Sequence, residues 1–235
     1  VLANARLLLP LSDTAARTAE GLIERRKRAT APASITLPIP LERLPGAAVR
    51  DLDAVAYAAN PAKRGLDLLC QAWRLARPAD GVLLVSGIDR ERALRWLSGI
   101  GVDEPPGIQW AGELRREDWL SRVARARIFV SAARYEDWGI AQLEALASGT
   151  PLVTVPTPGP NEALALARRL APRLVAPTST AEALAAAIEE GLSLSDSGRL
   201  AYAEAADSLL EPYRPEAVQQ VVTQAVVPEL LRSSA

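Results

Sequence analysis

Short apolar runs alternate with longer amphipathic stretches through most of this chain. The runs Arg6 to Leu9, Ala54 to Ala58, Val82 to Ser86, Ile108 to Trp110, Ile128 to Ser131, Leu152 to Val155 and Leu174 to Ala176 are mostly four to six residues long and bounded by Gly, Pro or Asn. Continuous apolar runs of that length read as parallel strands buried on both faces, where neither side of the pleat meets water. Between them the spacing predicts helices: Leu66, Leu69, Cys70 and Trp73 share one face, and Leu120, Val123 and Ala124 another. Ala181 to Leu192 is so rich in alanine that propensity alone favours helix. This alternation predicts an α/β fold, a parallel sheet with helices on both faces. Such sheets bind ligands at the carboxyl ends of their strands, near the point where strand order reverses.

The alternation spans residues 46–195 and fails at both ends. Within residues 1–45, one strand, a helix starting near Ser12 and Asp13, and the extended ITLPIPLERLPG segment would make a sheet without neighbours. Pro38 to Pro45 reads as a linker. Asp196 to Gly198 breaks the pattern again, and residues 196–235 then hold two helices separated by Pro212 and Pro215.

Composition removes several function classes. Of 235 residues, 49% are hydrophobic and 23% charged, the balance of a globular protein. The 27 basic and 28 acidic residues cancel to −1, which is not the footprint of a nucleic-acid binder. With no histidine, there is no Ser-His-Asp triad, Cys-His pair or HExxH zinc site, and no metal site is expected. The single cysteine, Cys70, suits a reducing cytosol and falls on an apolar helix face, so it is expected in the core. No spanning apolar run or signal peptide is visible, and the absence of methionine suggests a piece of a larger cytoplasmic protein. The basic cluster Arg25 to Arg28 reads as an exposed helix face. Its alternative is peripheral contact with an anionic inner-membrane surface or a lipid-linked acceptor.

The richest segment is RYEDWGIAQLEALASGTPLV, Arg134 to Val153. It follows a strand ending near Ser131. Gly139 marks the opening of a helix, and Gly149 and Pro151 stop it before the next strand. Such a junction aims free backbone N–H groups and the positive helix end at an anionic ligand. Glu136 stands just before that end. Glu144 lies about 7 Å further along, where a ribose would fall if a diphosphate sat at the helix mouth and where a carboxylate can accept from two vicinal hydroxyls. The Glu-x7-Glu spacing alone is noise, since about three such acidic pairs are expected by chance. Its context is not: Trp-Gly lies between the glutamates, and Gly-x-Pro leads into an apolar strand.

EDWGIAQLEALASGTPLV resembles the E-x7-E segment of the family 4 glycosyltransferases, retaining enzymes of the GT-B fold. AAVRDLDAVAYAANPAKRGLDLLCQAW resembles that family's first strand and Lys-Gly helix start, GVLLVSGIDR its second strand, and IQWAGEL the strand and loop after it. PTPGPNEAL resembles a later loop carrying a glutamate, here Glu162. The resemblance covers about Ala54 to Leu192. It implies the C-terminal, Rossmann-like half of a GT-B architecture, with residues 1–45 the tail of an N-terminal domain plus linker and 196–235 helices crossing back to it. Most of the acceptor-binding N-terminal domain would then be missing.

The resemblance implies metal-independent transfer of a sugar from a UDP-, GDP- or ADP-linked donor, a co-substrate rather than a cofactor, to a sugar, lipid or small-molecule hydroxyl. Glu136 would be the catalytic residue at the donor sugar. Lys63 and Arg64 would bind the diphosphate, Gly139 and Ile140 would offer backbone N–H groups, Glu144 would take the ribose, and Gly112 to Leu114 the base. Trp138 belongs to the same loop, more as packing than as a sugar platform. Two features depart from the family. The usual second cation falls on Ala58 or Ala59, and Asp137 adds an acid beside the anion site. The alternative is therefore a catalytically inactive nucleotide-binding module. A glycoside hydrolase using Glu136 and Glu144 suits the motif poorly, because retaining hydrolases hold two carboxyls about 5 Å apart across the sugar.

Overall fold

The computed structural model describes residues 5–25, 32–47, 49–76 and 80–232. They divide into two compact units, residues 43–209 and a smaller one from residues 1–42 and 210–235. In chain order the smaller unit opens with β1 (Leu7–Leu8), α1 (Asp13–Arg25) and β2 (Ala33–Ser34). β1 and β2 pair in parallel as a two-stranded sheet, and the rest of the expected extended segment carries no strand. Residues 26–28 of the basic cluster lie outside the described residues.

The larger unit is the α/β layer structure. It contains β3 (Leu52–Tyr57), α2 (Pro61–Arg64), α3 (Leu66–Ala76), β4 (Leu83–Ser86), α4 (Arg90–Gly99), β5 (Ile108–Gly112) and α5 (Arg116–Arg125). β6 (Ala126–Ser131), α6 (Ile140–Ala147), β7 (Leu152–Thr154), α7 (Glu162–Leu170), α8 (Ala181–Ser193) and α9 (Asp196–Leu209) follow. All five strands β3–β7 run parallel, in the order β5-β4-β3-β6-β7. The chain steps from β3 outward to β5 and then returns to lay β6 on the other side of β3. Strand order therefore reverses between β3 and β6, and the loops leaving their carboxyl ends flank a crevice.

Burial explains the apolar runs. Every residue of β4 and β7 is buried, and α3 packs on α8 while α5 packs on α6. Trp73, Phe129, Leu66 and Leu143 are among the fully buried side chains, each contributing about 1.5–3 kcal/mol by leaving water. One expected strand is corrected. Leu174 to Ala176 is not a strand but a 3-10 turn (Pro172–Leu174) followed by a single bridge from Val175 to Thr154. Pro172 starts a turn readily, and the Pro at 177 cannot donate to a ladder, so pairing does not extend beyond that bridge.

α9 belongs to the larger unit: its Tyr202 hydroxyl accepts from the Leu152 N–H at 3.0 Å and is buried. At the amino ends of the strands Arg50 donates to the carbonyls of Ala124, Ala126 and Gly149, and Arg199 to those of Gly191 and Leu192. These carbonyls lie in the last turns of α5 and α8 or just beyond the ends of α5 and α6, where helices leave carbonyl groups in need of donors. A hollow of about 700 Å³ at that end is lined by Arg50, Arg127 and Arg199. All three guanidiniums serve as helix caps or ion-pair partners there, far from the crevice.

After α9 the smaller unit resumes with α10 (Pro215–Val221), a π turn (Val222–Val226) and α11 (Val227–Leu231). Among the described residues no helix is long and apolar enough to cross a membrane. Cys70 lies in the core of α3, and burial pushes its thiol up to about 12. The native chain is expected to be inert to Ellman's reagent at pH 8 and to release its thiol only on unfolding. Prompt reaction of the native protein would place Cys70 outside the core.

Candidate functional site

The crevice at the reversal point holds a cavity of about 620 Å³, lined among others by Tyr57, Arg64, Leu114, Arg116, Trp119 and Glu144. Its first wall is the loop after β3. Asn60 caps α2 by accepting from the Lys63 N–H at 3.0 Å, Pro61 supplies the first helical residue, and Gly65 ends the turn in the left-handed region at φ 63°. This single turn presents Lys63 and Arg64 in succession. Arg64 pairs with the Glu136 carboxylate and lies 5.6 Å from the Tyr57 ring centroid. Lys63 reaches Asp137 at 3.4 Å and stacks over Tyr135. The Lys63–Asp137 pair is exposed and worth at most about 1 kcal/mol.

The second wall is the loop from β6 into α6. Glu136 is 5% exposed, and its N–H donates to the Pro158 carbonyl at 3.1 Å. Trp138 is buried beneath the loop and belongs to its packing. Gly139 caps α6 at φ 86°, where a side chain would be strained and a Cβ would stand 2.8 Å from the Ala163 Cβ. Ile140 and Ala141, at the first turn, line the cavity, and their N–H groups have no carbonyl partner within the helix. Glu144 lies one turn deeper, 5% exposed. It accepts from Arg116 at 2.5 Å and from the Trp119 indole N–H at 2.9 Å.

The third wall follows β5. Gly112 has φ 64°, and its carbonyl accepts from the Gly87 N–H at 2.7 Å and the Ser86 hydroxyl at 3.1 Å. Leu114 lines the cavity beside Arg116. Glu162 opens α7, capped by Asn161, and is not among the residues lining the cavity.

The fold thus brings Arg64, Leu114, Ile140 and Glu144 to one cavity, with Glu136 paired to Arg64 behind it. Lys63 is turned toward Asp137, and Ala59 lines the cavity where the resemblance implies a second cation. Tyr57, Arg116 and Trp119 also line the cavity, and no motif in the sequence marks them for it. Trp119 shares the apolar face of Val123, which is the signal of a core residue and hides its polar tip. Among the described residues no group of three or more His, Cys, Asp or Glu side chains could hold a metal ion. The arrangement can take an anion at the α6 mouth, beside a guanidinium, and a hydroxylated group at a buried carboxylate.

A family model, "Glycosyl transferases group 1", matches residues 53–193. No curated protein sequence matches the chain. Among solved structures, a sucrose-phosphate synthase from Thermosynechococcus elongatus superposes with a TM-score of 0.73 at 20% identity, covering 99% of this chain and 60% of its own. An α,α-trehalose 6-phosphate synthase from Burkholderia multivorans gives 0.73 at 12%, covering 99% and 61%. Anabaena Alr3699/HepE, solved with UDP and glucose, gives 0.70 at 16%, covering 95% and 64%. The chain therefore spans under two thirds of each of these proteins.

Proposed function

Because this chain belongs to the glycosyl transferases group 1 family, with the α/β architecture of GT-B glycosyltransferase domains, we propose that it is the donor-binding part of a retaining, family 4 glycosyltransferase. The reaction would move a sugar from a nucleotide to a hydroxyl. The bond from the anomeric carbon to the diphosphate oxygen breaks, one to the acceptor oxygen forms on the same face of the sugar, and the acceptor hydroxyl's proton passes to the departing diphosphate. No metal is required in this reading, so the charge growing on the leaving diphosphate is met by Arg64 and the free N–H groups of Ile140 and Ala141. Arg64 offers a planar fork that can bind two phosphate oxygens at once. Glu136 is the residue placed at the donor sugar, the Gly112 to Leu114 loop faces the base, and Glu144 takes the ribose hydroxyls.

The observation that carries this reading is the convergence of Arg64, the α6 N-terminus and the buried Glu144 on one cavity. UDP is the first nucleotide to test, because Alr3699/HepE was solved with it; GDP and ADP follow. The acceptor would be read by an N-terminal domain, with the enzyme cytoplasmic or peripheral at the inner membrane face.

A second reading, an inactive nucleotide-binding module, draws on Ala59 standing in the cavity in place of a cation. Both require nucleotide binding. In a thermal-shift panel of UDP, GDP and ADP, one nucleotide at 100 times its dissociation constant is expected to stabilise the chain by about 2.7 kcal/mol. At this size that is a rise of about 5–10 °C, and Glu144→Ala is expected to abolish most of it. No rise with any nucleotide would overturn both readings, and sugar transfer by the full-length protein would decide between them.

A further inference from the structure

Arg116 and Trp119 stand one turn apart at the start of α5 and meet on a single carboxylate. The Trp119 indole N–H donates to Glu144 Oε2 at 2.9 Å, and the Arg116 guanidinium donates to Oε1 at 2.5 Å. The two donors differ in kind. Trp119 is 7% exposed, and its ring is fixed between Tyr57, at 5.6 Å and 56°, and Phe129, at 6.0 Å and 78°. Arg116 is a surface side chain, 68% exposed. One oxygen of Glu144 is thus tied to a rigid, dry donor and the other to a solvated cation.

An ionised carboxylate offers about four acceptor positions, two on each oxygen. Trp119 and Arg116 take one apiece, which leaves one on each oxygen of a carboxylate that lines the cavity. Terminal carboxylate torsions are otherwise broad, so an untied Glu144 would turn about its last bond. Two neighbouring acceptors held at fixed orientation match two hydroxyls on adjacent carbons. We infer that Trp119, assisted by Arg116, is a positioning residue that locks Glu144 as a reader of a vicinal diol, so that the site selects ribonucleotides over 2′-deoxyribonucleotides.

This inference rests on the nucleotide reading above. The selectivity follows from desolvation. A site built to receive a hydroxyl rejects an analogue lacking it, because the remaining acceptor position of a buried carboxylate oxygen is then left empty. Fixing the carboxylate beforehand removes the ordering cost that binding would otherwise carry. If Trp119 served only to fill the core and satisfy its own N–H, its replacement would affect ribo- and deoxyribonucleotides equally.

The experiment is calorimetric titration of the full 235-residue chain with UDP and 2′-deoxy-UDP, with the GDP and ADP pairs in parallel. The wild type is expected to favour the ribonucleotide by about tenfold or more, the loss of one hydrogen bond to a charged group. Trp119→Phe keeps the ring contacts and removes the donor. It is expected to cut the preference to about twofold by weakening the ribonucleotide, with deoxyribonucleotide affinity nearly unchanged. Arg116→Gln, at an exposed position that does not endanger folding, is expected to lower the preference by about threefold. It tests the clamp independently should Trp119→Phe fail to fold. A folded Trp119→Phe chain with the wild-type preference overturns the inference. So does a wild type that binds both sugars equally, while the nucleotide reading survives. A wild type that binds no nucleotide overturns that reading and this inference together.

Discussion

Replacing Arg64 by alanine is expected to weaken nucleoside diphosphate binding by about 10- to 100-fold and to leave binding of the bare nucleoside nearly unchanged. A hydrogen bond to a charged group contributes about 1.5–3 kcal/mol, and each 1.4 kcal/mol is a factor of ten. Two guanidiniums line the cavity, but Arg116 is paired to Glu144 and Lys63 is turned to Asp137, so Arg64 is the one assigned to the phosphates. The loss is compounded by Glu136, whose carboxylate, relieved of its partner, stays buried beside the incoming phosphates. Arg64→Lys restores the charge without the planar fork and is expected to recover only part of the affinity. Titration with UDP and with uridine separates the possibilities: an equal loss for both would show that Arg64 acts through the fold rather than on phosphate. The variant also leaves an unpaired carboxylate. Because the Arg64 side chain is 24% exposed, water limits that penalty to about 1–2 kcal/mol, below the cost of breaking a fully buried pair.

Gly65→Ala is expected to lower stability by about 3 kcal/mol, with a fall in Tm of about 6–12 °C. Gly65 has φ 63°, a conformation that costs a residue with a Cβ about 1–2 kcal/mol. A Cβ there would also lie 2.0 Å from the Ala132 carbonyl oxygen. That oxygen cannot retreat cheaply, because Ala132 follows β6 directly and β6 is registered on β3 through Ala54–Ile128 and Val55–Phe129. The turn must move instead, and it carries Lys63 and Arg64. Nucleotide affinity is therefore expected to fall along with Tm. A Tm change under about 2 °C would show that the junction of α2 and α3 relaxes freely, so that close packing there has no role in placing Arg64.

Much of the scaffold was legible because burial writes itself into local pattern. β4 and β7 are buried along their whole length, so their runs are uninterrupted apolar sequence. α6 was bracketed by Gly139 and Gly149, both at positive φ, which a side chain would resist. Of the residues that the resemblance singles out, Arg64, Leu114, Ile140 and Glu144 line one cavity, and Glu136 is paired to Arg64. The Leu174 to Ala176 run misled for the opposite reason: apolar character marks burial, and burial alone does not supply ladder partners next to proline.

The sequence by itself determined the α/β class, the strand-to-helix junction that leaves free N–H groups at Gly139, and the chemical types available there. Each is set by short-range sterics and hydrogen bonding, which a few consecutive residues fully specify. The tertiary structure alone decided which charges meet. Arg64 lies 72 residues from Glu136, and Arg116 and Trp119 lie 28 and 25 residues from Glu144. Those pairings follow from the return of the chain from β5 to β6, which lays α5 against α6. No local pattern encodes that step, because an apolar face records that it must be covered and not by what.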